Sequence, residues 1–182
     1  MRIILSLVLF SLSSWGNTFQ SSQLSPNFKF DYNDVNWEMV PPRIEKGEAQ
    51  QVDKTMAQQT LVTIQRKTAD EKYRARFHVV TDSLEKFNDP KLPQIVQYQK
   101  HSVEFLKSQR FQMLSVEPVT LPKVKETAVE IIANQRDFGL KFKQVIFIHE
   151  GKAYLLTATT RTEKFDTYKN EISAMFDSFQ FF

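Results

Sequence analysis

Three histidines, His78, His101 and His149, are the side chains best suited to acid–base or metal chemistry in this 182-residue chain. No two stand four apart, so no helical turn would bring a pair to one metal ion. A strand would send His149 and its neighbour Glu150 to opposite faces. A site assembled in space stays open, with His78 and His149 on neighbouring strands. Cysteine is absent, which removes disulfides, thiolate zinc sites, iron–sulfur clusters and cysteine nucleophiles. The four glycines, Gly16, Gly47, Gly139 and Gly151, are too dispersed for a phosphate loop or a dinucleotide fingerprint, and none sets up a strained serine turn. Carboxylate pairs of the glycosidase kind stay open, because Asp and Glu are plentiful. No residue is assigned a catalytic, cofactor-binding or metal-binding role.

Positive charge is the other candidate chemistry. Lys123, Lys125, Arg136, Lys141 and Lys143 cluster in the chain, and Arg74 and Arg76 alternate along one predicted strand. From these, Arg74, Arg76, Lys141 and Lys143 are the candidate partner-binding residues, suited to an acidic protein surface or anionic lipid head groups. The competing reading is a solvated sheet edge, where lysine blocks strand-to-strand aggregation. Lys+Arg 24 against Asp+Glu 21 leaves only +3, which argues against nucleic-acid binding.

The elements that must position these groups follow from periodicity. Residues 1–16 run from Arg2 through an apolar stretch to small residues at Ser14 and Gly16, the layout of a signal peptide cleaved after Gly16. That stretch is too short to span a bilayer. Residues 17–27 read as a flexible lead-in, and residues 28–182 as one domain. Phe28, Phe30 and Tyr32 alternate as a strand, with 35–40 returning as its hairpin partner. Trp37 belongs in the core. Residues 41–58 and 81–91 read as long polar connections, the expected partner-contact surface. Strands are expected at 61–64, 73–80, 111–119, 127–133, 140–148 and 153–160.

Tyr73, Ala75, Phe77 and Val79 alternate with a wet face of Arg74, Arg76 and His78. The 140–148 strand is apolar on both faces, so both must be covered. A helix is expected over 92–109, entered through Pro90 and Pro93. A second starts near Thr162 as N-cap, with Phe165, Tyr168, Ile172, Met175, Phe176 and Phe179 inward and Glu171 outward. The fold class is α+β: an α/β/α sandwich, with a central antiparallel sheet and helices on both faces.

Phe28-Lys29-Phe30-Asp31-Tyr32 followed by Trp37, then Gly151 to Ala158, Phe165 to Tyr168 and Phe176-Asp177-Ser178-Phe179, resemble the PsbP-like superfamily. That superfamily includes the extrinsic photosystem II protein PsbP, the Ran-binding nuclear import factor, and bacterial periplasmic and secretion-adaptor relatives. The resemblance implies its fold over about 28–181 and a non-enzymatic binding, adaptor or assembly role. No Ran-binding or manganese-binding set of that family is matched here. The expectation is a periplasmic or secreted, non-catalytic module that binds another protein, with no cofactor and no membrane span. Two alternatives stand beside it. One is a small-molecule or lipid carrier, which the 16 phenylalanines could line. The other is a small envelope hydrolase.

Overall fold

The computed structural model describes residues 16–21, 27–40, 59–68 and 73–182. Most of the expected signal peptide and the 41–58 connection lie outside the described residues. Among those described are ten strands and two helices. The strands are β1 Thr18–Gln20, β2 Phe28–Asp31, β3 Trp37–Met39, β4 Gln59–Arg66 and β5 Arg76–Ser83, then β6 Gln112–Val119, β7 Ala128–Gln135, β8 Leu140–His149, β9 Lys152–Arg161 and β10 Gln180–Phe181. The helices are α1 Gln94–Ser108 and α2 Phe165–Ser178. A seven-stranded sheet runs β3-β4-β5-β9-β8-β7-β6, and a small sheet runs β1-β2-β10. Every pairing is antiparallel.

Alternation along the central strands sorts the core into two clusters. Val145, Phe147, Tyr154, Leu156, Phe77 and Val79 pack with Tyr168, Ile172, Met175 and Phe176 of α2. The intervening Phe142, Ile146, Ala153 and Leu155 pack with Tyr98 and Leu106 of α1. Strand β8 is therefore covered on both faces, as its double apolar pattern requires. The small sheet closes over the α2 cluster through aromatic rings. Phe28 stacks on Phe179 with centroids 5.3 Å apart, Phe30 meets Phe77 at 5.2 Å, and Phe77 meets Phe176 edge-on at 5.3 Å. The β8–β9 hairpin turns through Glu150 and Gly151, both at positive φ (47° and 72°), as a two-residue primed turn demands.

Several local expectations are corrected. Residues 35–40 do not return along β2; β3 pairs with β4, and β2 pairs with β1 and β10. The turn at Asn33–Asn36 carries the chain from the small sheet to the large one. Thr18–Gln20, inside the expected flexible lead-in, is a strand, and the Ser21 hydroxyl accepts the Phe28 amide at 2.9 Å. Thr162 opens a 3-10 turn and makes no side-chain cap; α2 begins at Phe165. The 81–91 connection is not a free loop. Strand β5 runs on to Ser83, Leu84 is buried, and Phe87 packs on Tyr98 at 4.9 Å.

Glu171 does not face away. It accepts from Trp37 Nε1 (2.6 Å) and Asn36 Nδ2 (2.8 Å) and pairs with Arg66. Periodicity marks it as outward because Trp37 and Arg66 arrive from remote strands to cover it.

Candidate functional site

Helix α1 packs on β6, β7 and β8. It also reaches Ala153 and Leu155 of β9 and Asp82 of β5, but toward β4 and the Arg76 end of β5 the same face runs out from under the helix, and there the inward-facing residues change character. Gln144 of β8, Thr157 of β9, His78 of β5 and Thr63 of β4 are successive cross-strand partners. They form one polar row across four strands. Gln144 Nε2 donates to Thr157 Oγ1 at 3.0 Å, and Thr63 Oγ1 lies 2.8 Å from His78 Nδ1. Buried polar groups are tolerated when they are paired in this way. Thr157 accepts from Gln144, so its hydroxyl proton is left to donate. With Nδ1 engaged, Nε2 is the remaining nitrogen of His78.

A cavity of about 200 Å³ opens between this row and α1. Val80, Leu106, Phe142 and Leu155 supply apolar walls, and Phe105, 48% exposed, stands at its mouth. Thr60, His78, His101, Ser102, Gln144 and Thr157 supply the polar lining. Among the described residues, no Asp, Glu, Lys or Arg lines it. Burial, and then the Arg76 charge, lower the His78 pKa below its ordinary 6.5, so the ring is neutral at physiological pH. A second recess of about 540 Å³, beside the start of α1, is more polar and more open; its buried Asp82 is already held by the Tyr98 hydroxyl at 2.7 Å.

The structure brings His78 and His101 to one cavity and separates them from His149. Strand β9 lies between β5 and β8, so His78 and His149 are not on neighbouring strands. His149 stacks on Phe181 at 3.7 Å and meets Glu126. Among the described residues, no group of three His, Asp or Glu is placed to hold a metal ion. The four candidate basic residues split between the two faces of the large sheet. Arg76 pairs in register with Thr159, on the α1 side, and Arg74 salt-bridges Glu38 at 3.2 Å. Lys143 pairs in register with Ala158 of the α2 cluster, salt-bridges Glu130 at 2.7 Å and lies 5.1 Å from the Phe176 ring. Lys141 lies over Phe165 at 4.2 Å. They do not form one patch.

The polar row and its cavity were missed by the sequence reading. The available signal was Gln144, an amide interrupting the apolar face of Leu140, Phe142, Ile146 and Ile148.

No family model matches the chain, and no curated protein matches it. Among solved structures, it is similar to the cyanobacterial PsbP protein (CyanoP) of Synechocystis, with a TM-score of 0.59 and 11% identity over 96% of this chain and 99% of that one. The chain has the PsbP-like fold. It is also similar to LpqN of Mycobacterium tuberculosis, described as involved in cell envelope biogenesis, with a TM-score of 0.51 and 11% identity over 91% of this chain and 90% of that one. Identity this low speaks for the PsbP-like fold and leaves function to be argued from the site.

Proposed function

We propose that this chain is a non-catalytic accessory protein working outside the cytoplasm. It binds another protein through the face of the large sheet that α1 leaves open. The observation that carries this reading is the uneven covering of the sheet. The α2 side is closed by a helix, a small sheet and an apolar cluster. On the α1 side, Arg76 is exposed and Thr63, Gln65, His78 and Thr159 are half-buried beside a helix wall. A half-open polar floor next to an exposed phenylalanine suits recognition. Arg74 and Arg76 belong to this surface; Lys141 and Lys143 face the other way. The two clusters on opposite faces support describing residues 28–182 as one α/β/α sandwich domain.

A non-catalytic role is supported by the lining of the cavity, which includes no carboxylate among the described residues. A location outside the cytoplasm is supported by the signal-peptide layout of residues 1–16 and by the cell-envelope description of LpqN. A carrier of whole lipids is disfavoured, because the apolar cavity is smaller than the roughly 300–1,000 Å³ of drug-sized sites and the larger recess, about 540 Å³, is open and lined by charged residues such as Asp82, Glu85 and Lys152.

The test is an affinity pull-down of the tagged chain from envelope extract of its native host, read by protein and lipid mass spectrometry together. One stoichiometric protein that survives a salt wash is the expected result. A co-purifying lipid or metabolite with no protein overturns the reading.

A further inference from the structure

We infer that the cavity between α1 and the sheet is a binding site for one small uncharged aromatic molecule, either a substituted single ring or two fused rings, that carries a hydrogen-bonding atom. This goes beyond the partner-binding reading and does not depend on it.

Size sets the first limit. Protein interiors are close-packed, and a cavity of roughly 150 Å³ lined by apolar side chains takes up benzene. At about 200 Å³ this one has room for a ring with a substituent, or a bicycle. Shape and wall chemistry set the second. The Phe105 and Phe142 side chains and the His78 and His101 rings bring four aromatic groups to the lining, with Leu106 and Leu155 between. Flat ligands gain offset or edge-to-face contacts from such walls. A guest would also take part of the exposed Phe105 out of water.

Charge sets the third limit. Among the described residues, neither a carboxylate nor an ammonium or guanidinium group lines the cavity, so an ionised ligand would give up hydration without a partner. Burial keeps His78 neutral, so it adds no cation. The polar row sets the fourth. Thr157 and His78 are cross-strand partners whose other contacts point away from each other, Thr157 to Gln144 and His78 to Thr63. His78 Nε2 accepts in the tautomer whose Nδ1–H donates to Thr63 Oγ1, which sets it beside the Thr157 hydroxyl donor on the adjacent strand. A phenol hydroxyl can accept from Thr157 and donate to His78, an indole N–H can donate to His78 alone, and aliphatic packing gives no reason to keep polar residues at both positions.

The test is a titration of the isolated chain with indole, phenol, toluene, benzoate and benzylammonium, followed by amide NMR. Indole and phenol should give saturable shifts centred on His78, Ser102, Phe142 and Thr157. Benzoate and benzylammonium should bind at least about ten-fold more weakly. Ser102→Leu, which fills the cavity from the helix, should abolish the shifts. Thr157→Val, which keeps the shape, should weaken phenol several-fold and leave toluene unchanged, a split that general loss of structure would not give. The inference is overturned if the folded wild type shows no saturable shift with indole or phenol, or if benzoate binds as well as they do. Because no partner is in the tube, its failure is separate from any failure of the pull-down.

Discussion

Glu171→Ala is the substitution from which most can be learned about how the fold is held. Glu171 reaches from α2 to two strands of the large sheet and the turn before them. Its carboxylate accepts from Asn36 Nδ2 at 2.8 Å and Trp37 Nε1 at 2.6 Å, and it pairs with Arg66. The Arg66 guanidinium lies 4.3 Å from the Tyr168 ring and 5.7 Å from the Trp37 ring, and the two charged side chains are 14% and 22% exposed. Removing one partner of a buried pair costs roughly 3–5 kcal/mol. Residual exposure pulls that down, and the stranded Trp37 N–H adds roughly 1 kcal/mol. The expected cost is about 3 kcal/mol, which lowers Tm by about 6–12 °C in a chain of this length. Urea denaturation followed by tryptophan fluorescence and circular dichroism measures it. The double variant Arg66→Met with Glu171→Leu removes both charges and should recover at least half of the loss. A cost under about 0.5 kcal/mol for Glu171→Ala, or no recovery in the double variant, would refute the reasoning.

Two further outcomes follow from local chemistry. Because burial lowers the His78 pKa in the fold, the unfolded chain binds a proton near pH 6.5 that the folded chain does not. The stability this contributes is present above that pH and is lost as pH falls toward the folded value; His78→Gln should therefore lose less stability than wild type between about pH 7.5 and about pH 5.5 in urea titrations. Glu150 sits at φ 47° ahead of Gly151, a conformation that suits asparagine better than glutamate. Glu150→Asn should raise stability by about 0.5–1 kcal/mol, read as a higher Tm; a fall would contradict the turn assignment.

How much of this was legible in the sequence depended on range. Alternation in Phe77 and Val79 against Arg76 and His78, and apolar residues on both faces of 140–148, already distinguished a strand with one open face from a strand covered twice. That difference is the edge of α1's coverage. Helix α1 was readable within two residues because prolines can enter only its first turn. The course of β2 and β3 was not readable, because which strand a short segment pairs with is decided by tertiary packing. Glu171 was misread for the same reason, its partners lying on β4, on β3 and in the turn before β3. The basic residues look clustered along the chain, yet strand alternation and chain reversal put Arg76 and Lys143 on opposite faces. The row of Thr63, His78, Thr157 and Gln144 exists only once register is known.

The most direct test of partner binding through the open face is photo-crosslinking in the native host. One crosslinking side chain replaces Arg76, exposed on the α1 side of the sheet, and another replaces Lys169, exposed on α2. The account predicts a discrete protein adduct from position 76 and none from position 169. An adduct from position 169 alone, or none from either, would contradict it.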